Sequence, residues 1–372
     1  MNKKRPVLNF IQDLATPHNN ILIKQFTCNE SFHIKLWYVA QQDPLRYQWS
    51  FDISQQHVTA SFYGDKLNLS FLFHCLAAKH ERFLIVGWMN INTVCLHVLF
   101  FLLRRPYNYW TDLPAPLPDN APSSKKIIRW MAYKLLRFSR CKVFCVGRTT
   151  VNFFLARRFP QRMLVKLPIF VDVKQDISGL KISRNEILRR YKVPTNGFLL
   201  SAGSRLIFDK GYDLLISSIS ELSPDLCNKV KLVIVGSGAE KEALSKQISL
   251  LNLTNVIHIE NWLDITDFKS LIANSDIFLH PARFDSYGGS TLGMALNVPV
   301  IGSNGAGAAV DRIDHGVNGF LYEATDIQSL AGYITKLLND TELRQRIGDA
   351  GRKTALQWHP SRGVDILLQH LI

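Results

Sequence analysis

"HPARFDSYGGSTLGMALNVPVIG" spans His280 to Gly302. It continues a short apolar run (Ile277, Phe278, Leu279) that stops at Pro281. An acid follows at Asp285, then Gly288 and Gly289, then a helix-like stretch to Leu296 and a second apolar run from Val298 to Ile301. Strand, glycine-bearing loop, helix and strand make up the repeating unit of a parallel sheet, since parallel neighbours need a crossover long enough to hold a helix. The acid beside two glycines therefore sits past a strand's carboxyl end, where open α/β sheets bind ligands.

The same unit recurs on both sides of this stretch. Apolar strands are expected at Phe198–Ala202, Lys231–Val235, Val256–Ile259, Ile277–His280 and Val298–Ile301, with helical patterns such as Tyr212–Leu222 and Ala239–Leu250 between them. The loops that leave these strands carry Gly203-Ser204-Arg205, Gly236-Ser237-Gly238, Tyr287-Gly288-Gly289 and Asn304-Gly305-Ala306-Gly307, and all four belong on one sheet edge. The first half alternates more faintly, with strand candidates at Val7–Ile11, Ile34–Val39, Phe83–Val86, Tyr107–Trp110 and Val143–Val146. A turn-rich junction, Val193 to Gly197, separates the two blocks. The expected fold class is α/β, with two Rossmann-like domains whose parallel sheets face across a cleft. The expected domains are residues 1–192 and 193–355, and a C-terminal helix in 356–372 is expected to pack back toward the first.

Composition narrows the class. A chain of 372 residues that is 47% apolar can bury two cores. Asp13 interrupts the basic amino terminus before any apolar signal core, which predicts a chain that stays in the cytoplasm. The most apolar stretch, Ile91 to Leu103, is too short to span a bilayer and reads as a buried helix. Six cysteines show no paired metal-ligand spacing and read as packed thiols. The net charge of +14 is lopsided: residues 1–195 hold 29 Lys and Arg against 11 Asp and Glu, and the remainder holds 15 against 19. Between Asp119 and Asp172 there are twelve cations and no acid. That asymmetry predicts a polyanionic surface beside the first half. The cations carry no recognisable nucleic-acid motif, and nucleic acid would leave the glycine-loop edge unexplained.

"SAGSRLIFDKGYDLL" (Ser201 to Leu215) puts Arg205 and Lys210 in the loop after a strand, just before a helix that opens near Gly211. Two cations beside the free N–H groups of a helix start suit a diphosphate. Taken together, Gly203, Arg205, Lys210, Gly211, Gly236, Gly238, Pro281, Arg283, Asp285, Tyr287, Gly288, Pro299, Val300 and the run Gly316 to Phe320 resemble the pattern of the retaining glycosyltransferases of family 4, which have the two-domain GT-B fold. The resemblance covers about residues 198–355. It extends more loosely to "ATPHNN" (Ala15–Asn20), "RYQW" (Arg46–Trp49), Gly87-Trp88, "YWTD" (Tyr109–Asp112) and "LPIFVD" (Leu167–Asp172).

This resemblance implies a nucleotide-sugar-binding C-terminal domain and an acceptor-binding, membrane-facing N-terminal domain. It implies that Arg205 and Lys210 hold the donor's diphosphate and stabilise the charge that develops on it, and that Asp285 accepts hydrogen bonds from the donor sugar. Gly203, Gly236, Gly238, Tyr287, Gly288 and Gly289 are implied to complete the donor site. Asp112 is the candidate first-domain group facing the sugar, and His18, Asn19 and Trp88 are candidates for acceptor or phosphate contact. The family's second acid, eight residues after the first, is missing. Gly293, or Leu292 when the alignment is fixed on Pro299-Val300, stands there, leaving Ser290 or Thr291 as substitutes. The resemblance implies no metal and no cofactor beyond the nucleotide-sugar substrate.

"SSKKIIRWMAYKLLRFSR" (Ser123 to Arg140) has helical periodicity. Ile127, Met131, Leu135 and Phe138 are expected to face inward, and Lys126, Arg129, Trp130, Tyr133, Arg137 and Arg140 outward onto anionic lipid headgroups. The resulting expectation is a retaining, metal-independent glycosyltransferase, peripheral on the inner face of the cytoplasmic membrane. It would use a nucleotide-diphosphate sugar and a lipid-linked or lipid-anchored glycan of surface polysaccharide assembly. A catalytically silent relative that binds a glycan or a partner is the alternative.

Overall fold

The computed structural model describes residues 5–29, 31–40, 58, 60–87, 90–118, 120–180 and 182–372, without the side chains of Pro17 and His18. The chain divides into two compact units, Met1–Phe170 with Pro360–Ile372, and Val171–His359. The division falls at 170/171 rather than at the expected 192/193. Val171 and Val173 pack with Phe278, Met294 and Val300, while Ile187 and Tyr191 pack with Leu199 and Val233, so the segment before the turn at 193–197 shares the second core.

The first unit runs β1 (Val7–Gln12), α1 (Pro17–Cys28), β2 (His33–Tyr38), β3 (Ala60–Phe62), α2 (Leu69–Ala77), β4 (Arg82–Val86) and α3 (Ile91–Leu102). It continues with β5 (Tyr107–Thr111), α4 (Ser123–Phe138), β6 (Cys141–Cys145), α5 (Gly147–Ala156) and β7 (Leu164–Lys166). Its seven strands lie in the order β3-β2-β1-β4-β5-β6-β7. All are parallel, with Ile11 opposite both Trp37 and Ile85. Helices cover the sheet, so its central strands are apolar along their length: Phe83, Leu84 and Ile85 are fully buried. The strand order reverses between β1 and β4, which places the starts of α1 and α3 at the switch point.

Ile91–Leu103 departs from its expectation of full burial. On α3, Asn92, Thr93, Leu96, His97 and Phe100 are buried, whereas Ile91, Val94, Val98 and Leu102 are exposed. The buried polar groups find partners: Asn92 Oδ1 accepts the Asn68 N–H at 2.7 Å, Thr93 donates to Asn90 O at 2.8 Å, and His97 Nδ1 lies 3.1 Å from the Tyr107 hydroxyl.

The second unit runs α6 (Val173–Ser178), α7 (Arg184–Arg190), β8 (Phe198–Gly203), α8 (Tyr212–Ser220), α9 (Pro224–Cys227), β9 (Val230–Val235), α10 (Lys241–Leu250) and β10 (Ile257–Glu260). It goes on with α11 (Ile265–Ala273), β11 (Ile277–His280), α12 (Ser290–Ala295), β12 (Val300–Ser303), α13 (Gly307–Arg312), β13 (Phe320–Tyr322), α14 (Ile327–Asn339) and α15 (Thr341–Leu356). The parallel order β10-β9-β8-β11-β12-β13 reverses between β8 and β11. The two loops that hold Arg205 and Asp285 therefore leave adjacent strands at the switch point. A last helix, α16 (Pro360–His370), returns to the first unit and lies against α1. Gly363 allows this contact, because a Cβ there would come within 2.5 Å of the Phe170 ring and 2.7 Å of Leu22.

Candidate functional site

The loop after β8 turns through a short helical turn, Phe208–Lys210, into Gly211, whose φ of +67° is left-handed. A side chain could not stand there: a Cβ would sit 2.2 Å from the Pro281 carbonyl oxygen. Glycine thus lets the β8 and β11 loops touch backbone to backbone, and the Phe284 N–H donates to Asp209 O at 2.9 Å beside it. Arg283 locks the same junction. Its two terminal nitrogens donate to the two Asp213 oxygens at 2.6 Å each, and its guanidinium lies 4.1 Å from the Phe208 ring centre.

This junction places Lys210 against Asp285. The ammonium is 2.6 Å from Asp285 Oδ2, and His280 Nε2 is 3.2 Å from the same oxygen. His280 Nδ1 lies 2.7 Å from Ser290 Oγ. A carboxylate only accepts, so Nε2 carries a proton toward Asp285, while Nδ1 shares a hydrogen bond with the Ser290 hydroxyl. Burial alone would raise the Asp285 pKa. The His280 hydrogen bond and charge and the Lys210 ammonium outweigh it and hold the carboxyl well below the usual carboxylate range. The Asp285 backbone is pinned as well, with its N–H on Gly305 O and its carbonyl on the Gly307 N–H, both at 2.9 Å.

Among the residues expected here, Arg205 is exposed, and no described residue partners its side chain. Gly203 ends β8, and Gly236 and Gly238 lie where the β9 loop meets the backbone of Ser204 and Leu206. The structure gives the other expected residues the following surroundings. Tyr287 is buried, its hydroxyl 3.3 Å from Asp311 Oδ2 and accepting from Arg312 Nε at 2.8 Å, so its ring braces the loop from behind. Gly288 has φ +85°, and a Cβ there would fall 2.2 Å from the His280 ring and 2.6 Å from Asp285 Oδ2, so it makes room for that pair. Gly289 would meet the Phe278 ring at an ordinary 3.5 Å. Ser290 and Thr291 are buried, and among the described residues Ser290 meets the site through His280. His280, which the sequence left without a role, links Asp285, Ser290 and Gly288. Its signal was its place at the last position of a strand, facing a loop that Gly288 folds back over it.

In the first unit, Asn19 donates to Gln12 Oε1 at 2.8 Å in the first turn of α1, the helix that contains His18. Asp112 is exposed just past β5. Trp88, Arg46–Trp49 and the His18 side chain lie outside the described residues.

The basic helix α4 is rotated from its expected orientation. Ala132 and Leu136 are its buried residues, while Ile127, Trp130, Met131 and Phe138 are at least half exposed. Tyr133 packs on Phe153 and Phe154 instead of facing out, and Arg129 donates to Ala115 O at 2.7 Å. Leu136 joins the core with Leu96, Phe100, Tyr107 and Val143, and Ala132 is buried one turn before it. Lys126, Lys134 and Arg140 remain exposed, and Arg137 is half-buried. No helix among the described residues is long and apolar enough to cross a membrane. None of their His, Cys, Asp and Glu side chains form a group of three or more that could hold a metal ion.

Two parallel-sheet Rossmann-like units, with a cation and an acid meeting at the switch point of the second, describe a GT-B glycosyltransferase. The sequence profile of the group 1 glycosyl transferases matches residues 183–354. The chain is 32% identical over 292 residues to the capsular polysaccharide biosynthesis glycosyltransferase CapM of Staphylococcus aureus, covering 77% of this chain and 74% of that one. It belongs to the group 1 glycosyl transferases. In fold it is similar to Anabaena HepE, solved in complex with UDP, at a TM-score of 0.77 and 19% identity, with 98% of each chain covered. It is also similar to WaaG, a glycosyltransferase involved in lipopolysaccharide biosynthesis, at a TM-score of 0.71 and 15% identity over 96% of this chain and 99% of that one.

Proposed function

We propose that the protein transfers a sugar, with retention of configuration and without a metal ion, from a nucleotide-diphosphate sugar to a lipid-linked or lipid-anchored glycan. The step belongs to the assembly of a surface polysaccharide such as capsule, lipopolysaccharide or exopolysaccharide. The observation that carries this reading is the Lys210–Asp285 contact beside the exposed Arg205 at one switch point. An ammonium has three donors, so Lys210 can hold Asp285 and a phosphate oxygen together. As the glycosidic bond breaks, the leaving diphosphate gains negative charge, and Arg205 and Lys210 stabilise it where it develops. The Asp285 carboxylate is fixed through Oδ2, and Oδ1, which accepts the Tyr287 N–H at a long 3.4 Å, has a further lone pair for a hydroxyl of the donor sugar. Asp112, His18, Asn19 and Trp88 are the first-unit candidates for the sugar and acceptor side.

CapM supports the reading through its name. The HepE structures support it through their ligands, which include UDP-glucose. Lys125, Lys126 and Lys134 on α4 are the groups we assign to anionic lipid at the inner face of the cytoplasmic membrane. A thermal-shift screen across nucleoside diphosphates and their sugars tests the donor class, since a ligand bound only by the native state raises the melting temperature. A silent binding protein is the second reading, favoured by the absence of an acid in the first turn of α12. Stabilisation by a nucleotide sugar with no turnover, in the presence of extracted lipid-linked glycan, would select it.

A further inference from the structure

The first unit wears its helix α3 inside out. The polar residues Asn92, Thr93 and His97 are buried, and the outward positions Ile91, Val94, Val98 and Leu102, with Leu103 just beyond, are all apolar and exposed. Neither α2 nor α3 contains a charged Lys, Arg, Asp or Glu. α3 lies between α2 and α4, and the three share one core through Phe71, Leu72, Leu96, Phe100 and Leu136, so their outer sides face the same way. On that side α2 presents Leu69 and Phe73, more than 70% exposed, and α4 presents Ile127, Ile128, Trp130 and Met131. An apolar patch spread over three adjacent helices exceeds what a monomeric protein leaves to water without a use.

We propose that this face enters a lipid bilayer, with α2 and α3 placing their outward side chains at the acyl-chain boundary while the α4 cations rest on anionic headgroups. The proposal rests on the reading of α4 as the lipid-facing helix and adds a hydrophobic footing to it. Charge selects the bilayer over other occupants. Helix α4 carries five Lys and Arg and no acid, so two copies joined through this face would bring ten cations together. A bilayer answers both halves of the surface, with phosphates for the cations and hydrocarbon for the apolar stripe. Trp130 is exposed with the Lys134 ammonium 5.3 Å from its ring centre, and an indole beside a cation suits the interface.

The test is co-sedimentation of the full chain with phosphatidylglycerol/phosphatidylcholine vesicles at low and at 1 M salt, the latter reducing the Debye length to about 3 Å. Two variants are compared. One is Val94→Ser/Val98→Ser/Leu102→Ser, and the other is Lys125→Gln/Lys126→Gln/Lys134→Gln; all six positions are exposed, and unchanged melting temperatures verify the fold. Wild-type binding should fall with salt but persist at 1 M, and the serine variant should lose that persistent part by tenfold or more. The glutamine variant should lose mainly the low-salt part. If it binds like wild type, the α4 reading fails while insertion by α2 and α3 stands. Complete loss of wild-type binding at 1 M salt overturns insertion, as does a serine variant that binds like wild type. A wild-type dimer that the serine variant splits, with no vesicle binding, overturns it in favour of a second copy.

Discussion

The Lys210 ammonium and Asp285 Oδ2 are 2.6 Å apart, with 10% and 12% of their side chains exposed. The cation expected on the diphosphate and the acid expected on the sugar are thus partners before any ligand arrives. Breaking a buried pair from one side leaves an uncompensated charge, at a cost of about 3–5 kcal/mol. Lys210→Met and Asp285→Leu should each destabilise on that scale, and the double variant should cost clearly less than their sum. Urea denaturation of the four proteins measures it. Additive losses would mean that the pair contributes no coupling.

Arg205 gives the contrasting result. Its side chain is exposed and has no partner among the described residues, so Arg205→Ala should change stability by no more than about 0.5 kcal/mol. Turnover with saturating donor should nevertheless fall by about 10²–10³-fold, the scale of one lost charge-stabilising donor. A turnover near that of wild type would remove Arg205 from the diphosphate.

Asp285→Asn separates the two ends of the donor. The carboxylate neutralises part of the Lys210 charge, and the amide would release it toward phosphate. Bare nucleoside diphosphate should therefore bind the variant at least as well as wild type, while the intact nucleotide sugar, deprived of a charged acceptor for its hydroxyls, should bind more weakly. Calorimetric titration with both ligands decides. Equal weakening of the two would place Asp285 away from the sugar.

Gly288 ties backbone conformation to that pair. Alanine would have to adopt a left-handed φ and put its Cβ 2.2 Å from the His280 ring. The backbone strain alone costs roughly 1–2 kcal/mol, and the clash pushes His280 off Asp285. Gly288→Ala should lower the melting temperature by several degrees and abolish the stabilisation that a nucleotide sugar gives. Retained stabilisation by donor would show that the His280–Asp285 contact is dispensable.

The central strands were legible because a strand buried on both faces is apolar along its length, as Phe83–Val86 and Leu232–Val235 are. The edge strands β3, β7 and β13 have three residues each, too few for any periodicity to register. Arg205, Lys210 and Asp285 stood out because cations and acids beside glycines at strand ends are unusual. Their pairing did not, since the contact between Lys210 and Asp285 depends on two loops meeting at Gly211 and Pro281. The orientation of α4 was misread for a physical reason. Periodicity gives the apolar stripe, and an apolar stripe is normally inward, but here Ala132 and Leu136 are buried and Ile127, Met131 and Phe138 were left outside. The same assumption hid the outward face of α3.

The inside-out α3 has a further consequence, in the acid range. His97 is fully buried with Nδ1 3.1 Å from the Tyr107 hydroxyl, and burial pushes its pKa down to about 3, against a weaker raising effect from the Gly87 backbone. The unfolded chain takes up this proton near pH 6.5, and the folded chain takes it up only near pH 3. The stabilisation from the neutral ring is therefore complete above pH 6.5 and is lost progressively as the pH falls toward 3, at no more than about 1.4 kcal/mol per pH unit. Asp285, whose carboxyl is also held low, adds its own loss only below about pH 4, so the two windows are separable. His97→Gln keeps a hydrogen-bonding group at α3 but does not titrate. Urea midpoints at pH 7, 6 and 5 should fall more gently in the variant than in wild type, with the variant less stable at pH 7. Parallel slopes over that interval would mean that His97 accepts its proton without unfolding the first unit, and that its burial contributes nothing to acid sensitivity.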